Sequence, residues 1–203
     1  MMKKIIAILI LFTFVGIISA CEPQDGSRVS RFLHTNQTDA LRLEEDFETS
    51  SFLEDGIGLV ELASCNYGHS TNFREVGSVG DSFTTRYFGI RAPRNHTTPP
   101  EPWSWDVADY VCGLLSNAER IVLQADPESN RRDTHQRYLV YVWYDNGSGI
   151  FRNLNLELIE QAYAAYTGGS SLYNEIFLTA WFDTQATNRR IWGEDDPDPR
   201  TGE

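Results

Sequence analysis

An α+β domain is the expected fold of this 203-residue chain. Short apolar runs broken by Gly and Asp turns occupy residues 58–90 and return at 121–125 and 138–144, as half-buried strands do. Three other stretches repeat apolar residues at helical spacing instead. No internal repeat is present, and a chain that is 41% hydrophobic, 12% aromatic and 23% charged is neither disordered, collagen-like nor a coiled coil. Three strands, a helix, two strands and two helices are compatible with a small closed barrel flanked by helices.

In order, Leu59, Val60, Leu62, Ala63 and Cys65 read as the first strand, and a second falls within residues 71–79. Gly77, Gly80 and Asp81 turn the chain into a third strand at 83–90. Pro93 and the Thr97-Thr98-Pro99-Pro100 stretch then force an extended loop. Trp103, Val107, Tyr110, Val111, Leu114 and Leu115 mark a helix over 102–117, read as core packing. Strands follow at 121–125 and 138–144, the latter closed by the Asp145-Asn146-Gly147 turn. Leu156, Ile159, Ala162 and Tyr163 form a second helical face ended by Gly168-Gly169, and a third helix is expected over 172–190.

The flanks read differently. Residues 1–20 carry Lys3 and Lys4, an apolar run from Ile5 to Ile18 and small residues before Cys21, the plan of a secretory signal too short to span a membrane. Ile18-Ser19-Ala20-Cys21 resembles a bacterial lipobox. That resemblance implies a lipidated Cys21 and a location on the outer face of a bacterial membrane; an ordinary cleaved signal would give a secreted protein instead. Residues 21–55 are polar, with isolated apolar residues such as Phe32, Leu41 and Phe52, and read as a disordered tether. The domain is expected over 56–193, with a loose acidic tail over 194–203.

Net charge is −12, and Lys3 and Lys4 are the only lysines, so the rest of the chain faces its 29 acidic residues with arginine alone. No global basic field exists to collect nucleic acid, so a polyanion partner needs a local basic site. Three cysteines do not make a disulfide framework or a zinc site, although Cys65 and Cys112 are free to pair in an exported chain.

At Arg86-Tyr-Phe-Gly-Ile-Arg-Ala-Pro-Arg94 and Asp133-Thr-His-Gln-Arg137-Tyr-Leu-Val-Tyr141 the chain resembles the staphylococcal nuclease (thermonuclease) family. Further blocks agree in order and spacing: Asn117-Ala118, residues 121–126, residues 155–164 and Ile191-Trp192-Gly193. The resemblance covers about residues 58–192 and implies a five-stranded OB-type barrel with three helices. It also implies calcium-dependent hydrolysis of phosphodiester bonds in DNA and RNA.

Carried over residue by residue, the family's two phosphate-gripping arginines match Arg86 and Arg137. A guanidinium offers phosphate oxygens a planar fork of donors and stabilises charge that develops there. The calcium carboxylates match His69 and Arg91, and the general base matches Arg94. Arginine donates no lone pair and loses no proton, so no metal ligands and no calcium cofactor are expected, and hydrolysis should be weak or lost. Should Asp81 or Glu75 rather than His69 enter the site, one carboxylate returns. The expected ligand-binding set is Arg86, Arg91, Arg94 and Arg137, which need an anion. Asp133 or Glu101 would serve internally, and nucleic acid or another phosphate-bearing anion externally. His69, His96 and His135 are expected as surface residues rather than a metal set, His135 packing as a ring within its block. Tyr138, Tyr141, Trp143 and Tyr144 are candidates for stacking bases, with about half turned inward by strand alternation. The protein is expected to be a monomer.

Overall fold

A computed structural model describes residues 33–193 together with Asp196, Asp198 and Arg200. The signal segment, Cys21 and most of the acidic tail lie outside the described residues. The described chain runs α1 (Asn36–Ala40), α2 (Phe52–Asp55), β1 (Ile57–Tyr67), β2 (Ser70–Glu75), β3 (Phe83–Tyr87), β4 (Ile90–Arg91) and α3 (Ser104–Ser116). It continues with β5 (Arg120–Gln124), β6 (Tyr138–Asp145), β7 (Arg152–Asn153), α4 (Leu154–Glu160), β8 (Ala165–Tyr166), α5 (Asn174–Gln185) and a 3₁₀ turn over Arg190–Trp192.

The strands close into a barrel. β3, β2, β1, β5 and β6 pair antiparallel in that order, and β6 then pairs parallel with β3, leaving neither as a free edge. The seam is short, Thr85 to Tyr138 through Tyr87 to Val140. It is stitched from outside by Asn155 of α4, which donates to the carbonyls of Phe88 and Val140 and accepts from the Val142 N–H. Asn155 is fully buried, so each of these bonds replaces one to water, and its loss would remove a partner from three backbone groups, of which the Val140 carbonyl still accepts from the Phe88 N–H. The five-stranded OB-type barrel is therefore present, with five helices rather than three packed around it among the described residues.

The two additional helices correct the expectation of a disordered tether. Residues 33–55 dock on the domain: Glu160 accepts from the N–H groups of Gln37 and Thr38, and the Gln161 amide pairs both ways with the Leu33 backbone. Phe52 enters the core between the rings of Phe83 and Tyr138. Ser51 caps α2 by accepting from the Glu54 N–H, and Gly56 ends it in the left-handed region. This is a capping pattern, Ser-x-x-Glu followed by Gly, that polar composition conceals.

Two helices end earlier than their apolar spacing predicts. α4 stops at Glu160 because Ala162 turns left-handed, although Ala162 and Tyr163 are still buried; α5 stops at Gln185, before Asn188 does the same. β6 also departs from simple alternation. Tyr141, Trp143 and Tyr144 are all buried and Tyr138 packs against Phe52 and Phe83, so this strand carries core on both faces and offers no platform for bases. Cys65 and Cys112 form a disulfide that ties the end of β1 to α3.

Candidate functional site

Barrel closure places the site. Arg86 lies near the end of β3, and Arg137 immediately precedes β6, whose first residues pair with β3 in parallel. Two arginines far apart in sequence thus reach the same end of one seam. His69 joins them because the β1–β2 turn lies against β3: the Tyr87 N–H donates to the His69 carbonyl, and the Ser70 hydroxyl donates to the Thr85 carbonyl. β4 pairs with β8, which fixes the start of the loop carrying Arg91 and Arg94.

These elements enclose a cleft of about 470 Å³ lined by Arg86, Arg91, Arg94 and Arg137 together with Ala92 and the imidazoles of His69, His96 and His135. All four predicted arginines converge there. The histidines converge too, which sequence spacing gave no reason to expect, since each arrives on a different loop. His69 is not a surface residue: it is 5% exposed, and its ring lies near that of Tyr67, which also meets His96 edge-on. His135 is exposed at the cleft rather than packed inside. Asp81 and Glu75 do not line the cleft. Glu75 turns away to accept from the Ser51 hydroxyl and the Leu53 N–H.

Two carboxylates stand behind the arginines and both are fully engaged. Glu101 accepts from the guanidiniums of Arg91 and Arg94 at 3.0 and 3.1 Å, and from the Arg94 backbone N–H at 2.9 Å. Asp133 accepts from Arg137 Nε and its terminal nitrogen at 2.8 and 2.6 Å, and from the N–H groups of His135 and Arg137. Burial works against the charge on Asp133, but these bonds hold its carboxyl below the usual carboxylate range. Arg86 differs. It donates to the Ile90 carbonyl at 3.0 Å, and no carboxylate among the described residues pairs with it.

The field in the cleft is accordingly positive. Burial lowers Arg86 to about 10, helped by Arg137, Arg91 and Arg94 and opposed by Asp133. Burial, then Arg86 and Arg137, lowers His69 to about 3, so its imidazole is neutral at physiological pH. Its Nδ1 is buried without a hydrogen-bond partner. Chemically, the cleft offers forked donors and positive charge to an acceptor-rich guest, and its lining supplies no carboxylate. Among the described residues no group of three or more His, Cys, Asp or Glu side chains is placed to hold a metal ion, and no helix is long and apolar enough to cross a membrane.

No curated protein matches the chain. The family model of the staphylococcal nuclease homologues matches residues 84–194, a span that contains Arg86, Arg91, Arg94, Arg137, the barrel seam and Asn155. With more than half of its length matched, the chain belongs to the staphylococcal nuclease homologue family.

Proposed function

We propose that this domain binds a phosphate-bearing ligand, nucleic acid or another such anion, in the arginine cleft and does not hydrolyse it by the family's calcium route. The observation that carries this reading is Arg86, a half-buried guanidinium without a carboxylate partner, facing a cleft whose lining holds three more arginines and no acid. Guanidiniums at that density, Arg86 among them partly desolvated, are stabilised by an anion.

The residues present do not fit calcium, which needs six to eight hard oxygen ligands. Those at the cleft are guanidiniums and imidazoles, and the oxygens of Glu101 and Asp133 are committed to arginines. A base is lacking as well. Arg94 stands where the family resemblance puts the general base, and His69 at about 3 is too weak to deprotonate water near neutral pH. Loss of a general base alone removes on the order of a hundred to ten thousandfold in rate.

The protein is further proposed to be an exported monomer held to the outer face of a bacterial membrane through Cys21. The Cys65–Cys112 disulfide supports export, since such bonds persist in oxidising compartments. Cys21→Ala should move the protein from the membrane fraction to the soluble one; an unchanged distribution refutes the anchor.

The test of function measures binding and cleavage of single-stranded DNA by the full chain, with calcium, with manganese and with chelator, beside the Arg86→Ala, Arg137→Ala double variant. Binding that needs the arginines, with no cleavage above the variant's background, is the expected result. Metal-dependent cleavage that disappears in the variant overturns the proposal.

A further inference from the structure

We propose that the cleft selects a phosphomonoester, a terminal phosphate with two negative charges, over the singly charged phosphodiester of a nucleic-acid backbone. This inference rests on the phosphate-binding reading above and adds the class of ligand.

Charge distinguishes the two kinds of phosphate. Arg86, Arg91, Arg94 and Arg137 bring four positive charges to the cleft, and Glu101 and Asp133 return two negative ones. His69 adds none near neutral pH. Two positive charges are left over, and a phosphomonoester above about pH 7 carries nearly two negative ones. A diester carries one and would leave one of the cleft's positive charges uncompensated.

The number of free donors distinguishes them too. A diester presents two non-bridging oxygens, whereas a monoester presents three terminal oxygens, each accepting more than one bond. Arg91 and Arg94 each give one guanidinium nitrogen to Glu101, and Arg137 gives two to Asp133, so the remaining nitrogens of all three stay available. Arg86 spends one on Ile90 and faces no acid. Donors on several sides of one cleft suit a tetrahedral chain end better than a strand that must enter and leave.

Arg91 is placed to supply the additional charge. It is 55% exposed at the rim, shares Glu101 with Arg94, and still lines the cleft. A guanidinium there adds the charge that distinguishes a dianion from a monoanion while carrying little of the fold's stability.

The test measures affinity of the full chain, in chelator at about pH 8 where the monoester is doubly charged, for four probes. They are inorganic phosphate, a phosphorylated sugar, a short single strand with a 5′-phosphate, and the same strand ending in a hydroxyl. The phosphorylated strand should bind at least about tenfold tighter than its hydroxyl-ended twin, the gain expected of one further charge-assisted hydrogen bond. Arg91→Gln should reduce that preference severalfold without altering the thermal midpoint. Stronger binding of the strand than of the sugar assigns nucleic-acid ends as the source, and the reverse assigns small phosphorylated compounds; both support the inference. Equal affinity for the two strands overturns the monoester selectivity while leaving phosphate binding intact. Failure of all four probes to bind a folded protein overturns the phosphate-binding reading itself.

Discussion

Removing an acid from behind this cleft should tighten its grip on phosphate. Glu101 is 28% exposed and accepts from Arg91 and Arg94 through one oxygen, Oε1. Glu101→Gln keeps one carbonyl oxygen to accept from those guanidiniums, gives up the second oxygen that accepts from the Arg94 N–H, and deletes the charge. A phosphate held by the same two arginines would sit roughly 7 Å from that carboxylate. At an effective dielectric of about 40 the repulsion is about 1.2 kcal/mol per unit charge, or about 2.4 for a dianion. Both arginines are about half exposed, so screening trims this to about 1 kcal/mol, a gain of roughly fivefold. Titration calorimetry with inorganic phosphate measures it, and the gain should shrink as salt is raised. Unchanged or weaker binding by a folded Glu101→Gln variant would refute the reasoning, because it would mean that Arg91 and Arg94 do not touch the anion.

Other perturbations read other parts of the molecule. Cys65 and Cys112 are 47 residues apart, so replacing both with Ser should cost up to about 4 kcal/mol by the chain-entropy relation, seen as a lower urea midpoint; a loss below about 0.5 would contradict it. A Cβ on Gly68 would lie 2.5 Å from a Val107 methyl, so Gly68→Ala should destabilise by about 1–3 kcal/mol, and Val107→Ala in the same chain should recover part of it. Without that recovery, the clash is not the cause. His69 lies at about 3 folded and near 6.5 unfolded, so the unfolded chain binds the extra proton and stability falls as pH drops from about 6.5 toward 3, by up to about 1.4 kcal/mol per unit. Urea midpoints of His69→Gln should lose that slope over the same window; an unchanged slope refutes the assignment.

The parts legible in the sequence are those set by local pattern or by linear motif. Apolar runs at 59–65 and 121–125 mark β1 and β5, and helical spacing from Trp103 to Leu115 marks α3, because each pattern is local to its element. The meeting of Arg86 with Arg137 was legible only through resemblance, since it depends on a three-residue parallel seam that no local pattern encodes. Long-range events escaped. Phe52 looks like a lone apolar residue in a polar stretch, and its partners Phe83 and Tyr138 lie on strands far along the chain. His69, His96 and His135 reach the cleft on three loops, whose paths are set by the barrel rather than by their own residues. Alternation turns about half of Tyr138, Tyr141, Trp143 and Tyr144 inward, yet Tyr141, Trp143 and Tyr144 are all buried because β6 packs on both faces, with Tyr173 against Tyr141 and Trp143.

The balance of charge across the whole molecule sharpens the argument for a small or terminal ligand. A long nucleic acid anchored at the cleft would carry its flanking phosphates across a surface of a chain with net charge −12, and each would be repelled within a Debye length of about 10 Å. Proteins that track a backbone present a basic groove along its path. Here four arginines converge on one cleft, and the acids Glu101 and Asp133 stand directly behind it. Under the proposal above, such an arrangement would favour a single phosphate over a run of them. The features that weaken the case for a calcium nuclease, Arg91 and Arg94 with carboxylates withdrawn behind the lining, are the same ones that would make the cleft selective for a chain end over a chain.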